Sequence, residues 1–318
     1  MRKDAKTTKT VEITRVHGYH EGGSYNDGES YAFAGFKGNK YFTSDRYVKL
    51  TPQFTRTDGK ALKGYGLEIE TECFRISNNS VLAEVLNKII FTHFPDDLFK
   101  LQRDGSLEGN SSAEAITQIM TREFIRNNYA NFRLMYDTYF PAFGIACGDN
   151  CGMHVNISNG CFGKIKKVQD DAIRKLYYIV NHHFRLCCEL FNRNPNRTTY
   201  CNRMNDDKEY CKTADLSRMP SSHGISFNCG HYESGRIEIR LVGGQKNYAC
   251  FRNTMETVFF LVDRVKTLSW DDADDIAKIF QGCNQYVLSR LERAMNAGLI
   301  SADVFSTISA TVNREDFI

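Results

Sequence analysis

The chain has 318 residues, 42% of them hydrophobic and 25% charged, with only 5 prolines; this supplies a packed core and excludes a disordered or Pro-rich linker protein. Its 41 basic and 38 acidic residues leave a net charge of +3, too even for a dedicated nucleic-acid binder, so no nucleic-acid partner is expected. The longest apolar run, Val258-Phe259-Phe260-Leu261-Val262, is far shorter than the roughly 20 residues a membrane helix needs. The polar, basic start MRKDAKTTKT has no apolar segment behind it, so a cytoplasmic protein without a membrane partner is expected. The 11 cysteines then read as free thiols, and Cys147, Cys151 and Cys161 lack the CxxC spacing of a zinc site.

In chain order, Tyr31–Phe36 and Tyr41-Phe42-Thr43 lie between Gly turns and predict a small β-rich extension over 1–60, ahead of a main domain over 61–318 with a helical C-terminal tail. Alternation predicts strands over 65–74, 113–120, 151–158, 224–229 and 235–242. Helical spacing predicts a helix over 80–94, with Leu82, Leu86, Ile89 and His93 on one face, and another over 121–140, with Ile125, Tyr129, Phe132, Tyr136 and Tyr139. A long helix over 164–192 would bury Ile165, Val168, Ala172, Leu176, Ile179, His183, Leu186 and Leu190. Another over 250–266 would bury Phe251, Met255, Val258, Val262 and Val265, and two or three shorter helices fill 271–311. Strands and helices mix without strict βαβ spacing, which predicts an α+β fold with a mainly antiparallel sheet.

Three strands carry chemistry. Residues two apart on a strand share a face. Glu68 and Glu70 therefore stand together opposite Leu67 and Ile69; His154 and Asn156 opposite Met153, Val155 and Ile157; Arg236, Glu238 and Arg240 opposite Ile237, Ile239 and Leu241. Any one segment alone reads most simply as an amphipathic strand with a solvated face. Together they gather carboxylates and an imidazole suited to Mg²⁺ or Mn²⁺ beside two arginines suited to phosphate oxygens. A turn at Arg103-Asp104-Gly105-Ser106-Leu107 and a strand carrying Glu114 extend the pattern, although Asp-Gly-Ser is also a common structural turn. No GxxxxGK[ST] run occurs, so a bound ATP would not sit in a P-loop.

Taken in order, Gly66-Leu67-Glu68-Ile69-Glu70, Asp104-Gly105-Ser106-Leu107, Glu114, Cys151-Gly152-Met153-His154-Val155-Asn156 and Arg236-Ile237-Glu238-Ile239-Arg240 resemble the amidoligase family. These are carboxylate–amine ligases with the fold of glutamine synthetase and glutamate–cysteine ligase, often encoded by phages. The resemblance covers about 64–265. It implies a curved, mainly antiparallel sheet with helices on one face, and an ATP- and Mg²⁺- (or Mn²⁺-) dependent reaction that makes an amide through an acyl phosphate. Glu68, Glu70, Glu114, His154 and Glu238 would hold the metal ions. Arg240, assisted by Arg236, would contact the transferred phosphate. Arg193 or Arg197 and Asn156 would help bind nucleotide, and Asp104 and Ser106 would line the nucleotide or acceptor side. The substrates would be small-molecule or peptide carboxylates and amines, or a protein. The sequence does not pick the base that takes the amine proton; carboxylates such as Glu72 or Asp104 are candidates. Asn156 stands where family members often carry a second histidine; it can donate a hydrogen bond but holds no charge. A catalytically silent phage binding or structural module, and an ATP-dependent small-molecule kinase on the same scaffold, are the alternative readings.

Overall fold

The computed structural model describes residues 40–43, 46–49, 63–95, 98–102, 107, 110–196, 199–222 and 224–313. The Tyr31–Phe36 patch, Asp104, Ser106 and Arg197 lie outside them.

In chain order the elements are β1 (Lys40–Thr43), β2 (Arg46–Lys49), β3 (Tyr65–Cys73), α1 (Asn79–Val85), β4 (Phe99–Gln102), β5 (Ser111–Thr117), β6 (Ile119–Met120), α2 (Arg122–Asn127), α3 (Tyr129–Arg133), α4 (Phe140–Phe143), β7 (Ile145–Ala146) and β8 (Met153–Ser158). There follow α5 (Lys166–His182), α6 (Phe184–Leu190), α7 (Lys208–Thr213), β9 (Phe227–Asn228), β10 (Arg236–Ile239), α8 (Tyr248–Arg264), α9 (Ile276–Phe280), α10 (Gln285–Asn296) and α11 (Ala302–Ser309). The strands form one open sheet whose main path is β4-β5-β3-β8-β10-β9, antiparallel throughout. β6 and β7 pair with the two ends of β3, and the β1–β2 hairpin adds to β6 through the parallel β1–β6 pair. The chain is thus a mixed helix and antiparallel-sheet fold.

One sheet face is apolar. Leu67, Ile69, Met153, Val155, Ile157, Ile237 and Ile239 are all buried. Tyr65 meets Phe259 of α8 edge-on at 4.8 Å, and Phe251 of the same helix stacks on Phe132 of α3 at 4.4 Å. Truncating Phe251 to alanine would cost roughly 3–5 kcal/mol. Helix starts follow their side-chain caps: Thr121 accepts from Phe124 N, Asn247 from Cys250 N, and Asn284 from Tyr286 N and Val287 N.

Three helical expectations are corrected. Over 80–94 the chain passes from α1 into a π turn at Leu86–Ile90, then a 3₁₀ turn at Phe91–His93. The wider π turn keeps the i+4 neighbour on the buried face, so Ile90 is buried while Ile89 is 39% exposed. The segment over 121–140 breaks at Asn128, the C-cap of α2, and takes a second π turn at Leu134–Tyr139. The long helix breaks at His183, whose ψ of 38° ends α5, and its first turn runs past the core, leaving Ile165 and Val168 exposed.

Candidate metal centre

The opposite sheet face carries the acids. Pairing sets Glu68 opposite His154, Glu70 opposite Glu114, and Glu238 opposite both Asn156 and Asn228. Glu114, Glu70, His154 and Glu238 are buried and Glu68 is nearly so, not a solvated face. Two carboxylates directly opposite each other, as in Glu70 and Glu114, weaken a sheet, and buried charge is kept where it is paired or binds a cation.

His154 stands at the centre. Its Nδ1 is 3.1 Å from Glu68 Oε2 and 3.5 Å from Glu238 Oε1; its Nε2 is 3.5 Å from Glu70 Oε1. Two trios of ligand atoms result, Glu68–His154–Glu238 and Glu70–Glu114–His154, with the atoms of each within 4.8 Å of one another. A neutral imidazole has one lone-pair nitrogen, so His154 can ligate in one trio at a time while its other nitrogen donates to an acid of the other. Burial pulls the imidazole down, but the Glu68 hydrogen bond and the Glu70 charge outweigh it and lift its pKa to about 9. Burial raises Glu68, yet His154, the Asn156 amide and Arg236 hold it down at about 2.

The arginines join this cluster. Arg240 Nη1 donates to Glu238 Oε1 at 2.7 Å and lies 3.4 Å from His154 Nδ1. Arg236 Nη1 donates to Asn156 Oδ1, and Asn156 Nδ2 donates to Glu68 Oε1 at 2.8 Å, so the Asn156 side chain links a guanidinium to a carboxylate. The Gly152 amide donates to Glu70, and Asn228 Nδ2 donates to Glu238 Oε2 at 3.0 Å.

Arg193 takes a different place. Its guanidinium donates to four backbone oxygens, those of Cys151, Arg240, Leu241 and Val242, at 2.7–3.4 Å. It thereby braces the Cys151 turn against the segment leaving β10. The turn before it needs Asn192 at φ 57°, which asparagine tolerates well. Gly243 and Gly244 pass so close to this frame that an added Cβ would lie 2.1 Å from Asn192 O and 2.2 Å from Gly148 O. Glu72 is buried two residues beyond Glu70, opposite Ser112 and Ala146.

The donor set fits a hard divalent cation: carboxylate oxygens with one imidazole suit Mg²⁺ or Mn²⁺. The neighbouring thiols do not compete, because burial, with the charges of Glu70 and Glu72, pushes Cys147 and Cys151 far up, away from the thiolate form. No disulfide joins the cysteines, all of which are among the described residues.

No protein-family description matches the chain, and no curated protein matches it. Among solved structures it is similar to a bifunctional glutathione synthetase from Pasteurella multocida, with 11% identity and a TM-score of 0.34, over 79% of this chain and 46% of that one. The chain thus spans less than half the length of that protein.

Two site residues escape a reading of the sequence. Asn228 lies within the strand expected over 224–229, of which only Phe227–Asn228 is strand, and nothing in that segment marks it as a partner of Glu238. Lys100 is half-buried on β4; the alternation of Phe99-Lys100-Leu101-Gln102, apolar then polar, was the available signal. No helix of the described residues is long and apolar enough to cross a membrane.

Proposed function

We propose that this chain is an ATP- and Mg²⁺- (or Mn²⁺-) dependent ligase that joins a carboxylate to an amine on a glutamine synthetase-like sheet. The observation that carries the reading is the meeting of Glu68, Glu70, Glu114, Glu238 and His154 on one sheet face, with Arg236 and Arg240 hydrogen-bonded into the same cluster. Those five residues would hold the metal ions, which when bound supply Lewis-acid neutralisation of phosphoryl oxygens. Arg240 and Arg236 orient the transferred phosphoryl group.

A carboxylate is a poor electrophile. Its oxygen attacks the terminal phosphorus of ATP, ADP leaves, and the resulting acyl phosphate has a good leaving group. The amine nitrogen then attacks the acyl carbon, phosphate departs, and the surplus amine proton passes to a base, for which buried Glu72 is the described candidate. The carboxylate and amine belong to small molecules or peptides, or to a protein side chain, in a cytoplasmic setting.

A second reading, a catalytically silent binding module, is favoured by Asn156, which engages Glu68 and Arg236 where the family pattern has a second histidine. Incubation with ATP, Mg²⁺ and pools of carboxylates and amines separates the readings. The ligase releases phosphate and yields a new amide mass, and Glu68→Ala or Glu238→Ala removes both. Phosphoryl transfer without an amide identifies a small-molecule kinase, and no ATP binding leaves the silent module.

A further inference from the structure

Lys100 stands across the acid cluster from the two arginines. Strand pairing sets a row: Lys100 opposite Ile116, Ile116 opposite Glu68, and Glu68 opposite His154. Arg240, the residue after β10, reaches back to His154. Along this row the chain places a cation, an apolar residue, an acid, an imidazole and a second cation. Neighbouring strands lie about 4.8 Å apart, so the Lys100 backbone is two spacings, about 10 Å, from that of Glu68, within reach of a lysine and a glutamate extended toward each other.

The direction of the side chain follows from burial. Phe99 and Leu101 are both 3% exposed and occupy the core face, which turns Lys100 to the face of Glu68 and Glu114. Burial lowers the pKa of its amine, opposed by the charges of Glu114 and Glu68.

An ammonium beside the acids offsets their buried charge in the metal-free protein but repels an incoming divalent ion, a cost to a site built only for cations. An anion that touches the metal ions and the ammonium together needs both. The arginines offer such an anion one side of the cluster, and β4 offers the other.

We propose that Lys100 is a phosphate-binding residue of this site, taking phosphate oxygens of the nucleotide from the β4 side while Arg236 and Arg240 take them from the β10 side. The triphosphate then lies across the strands, over the acids, rather than along one strand. Lysine suits this role as a mobile point charge, where the arginines act as planar forks. The inference rests on the nucleotide-dependent reading above and adds a residue and an orientation to it.

Titration calorimetry tests it in two stages, with Mn²⁺ alone and then with ATP in saturating Mn²⁺, on the full chain and on Lys100→Gln and Lys100→Arg. The expected result is a rise of tenfold or more in the ATP Kd for Lys100→Gln, with Mn²⁺ binding unchanged or tighter, and recovery of most of the ATP affinity in Lys100→Arg. Mn²⁺ binding by each variant shows that its site has folded. If Lys100→Gln binds Mn²⁺ more tightly and ATP as well as the unaltered chain does, Lys100 is only a counter-ion and the proposal is overturned, with the nucleotide reading intact. If the unaltered chain binds Mn²⁺ but no ATP, the nucleotide reading fails and the proposal falls with it.

Discussion

Glu68 and His154 face each other across β3 and β8 with Oε2 3.1 Å from Nδ1, and each fixes the charge of the other. Burial alone would neutralise both; their contact, with Glu70, Asn156 and Arg236 around it, instead holds His154 up at about 9 and Glu68 down at about 2. The metal-free fold is therefore stabilised by an imidazolium–carboxylate pair. The His154 contribution is complete below its ordinary value of 6.5 and is lost as pH rises through about 9. The Glu68 contribution is complete above its ordinary 4.5 and is lost as pH falls through about 2. In chelator-treated protein, the Tm gap between the unaltered chain and His154→Gln should be widest near pH 6 and shrink toward pH 10. A gap independent of pH over that range contradicts the pairing.

Arg193 is a brace, so its loss should be felt in stability. With four backbone oxygens deprived of one charged donor, Arg193→Ala should cost about 2–4 kcal/mol by denaturant unfolding. Arg193→Lys should recover only part, because one ammonium cannot span the same acceptors as a planar fork. Full stability in Arg193→Ala would show that the Cys151 turn and the β10 exit hold without it.

Gly243 tests the same frame from the other side. A methyl group there meets Asn192 O at 2.1 Å, and the obstruction is main chain, which cannot rotate away. Gly243→Ala should destabilise at the upper end of the roughly 1–3 kcal/mol of overpacked sites. Gly148, with open space around its Cβ position and no left-handed φ, is the control for the general cost of replacing a glycine.

Glu256 is a buried acid with a purely structural setting. It accepts from Arg126 Nε at 2.9 Å and Nη2 at 2.5 Å, from Tyr129 Oη at 2.7 Å and from Asn284 Nδ2 at 3.4 Å. Glu256→Ala strands these donors between α2, α3, α8 and α10 and should cost about 3 kcal/mol, the low end for a buried pair because Arg126 is partly in water. Mn²⁺ affinity of the folded protein should not change, which separates this acid from those on the polar sheet face.

The polar face was legible because a strand's period of two is the most direct pattern in a sequence: Glu68-x-Glu70, His154-x-Asn156 and Arg236-x-Glu238-x-Arg240 each declare a shared face. What no single segment holds is register. That Glu70 lies opposite Glu114, and that Arg236 reaches Asn156, follows from pairing between strands tens of residues apart. Lys100 was missed because a four-residue strand gives only two turns of alternation. Arg193 was expected at the nucleotide, and its bracing contacts were not legible because an arginine after a helix reads the same whether it faces a ligand or caps main-chain oxygens. The π turn at Leu86–Ile90, which exchanges Ile89 for Ile90, leaves no mark in hydrophobic spacing, since either residue fits a helical stripe.

The central claim is that acids from separate strands and one imidazole form a grip for divalent cations. Titration of chelator-treated protein with Mn²⁺ at pH 7 and pH 9 tests it most directly. The account predicts saturable binding, tighter at pH 9 because the ion must displace the His154 proton, and lost in Glu68→Gln and Glu114→Gln. Absence of saturable binding at either pH, or binding that survives both substitutions, would contradict it.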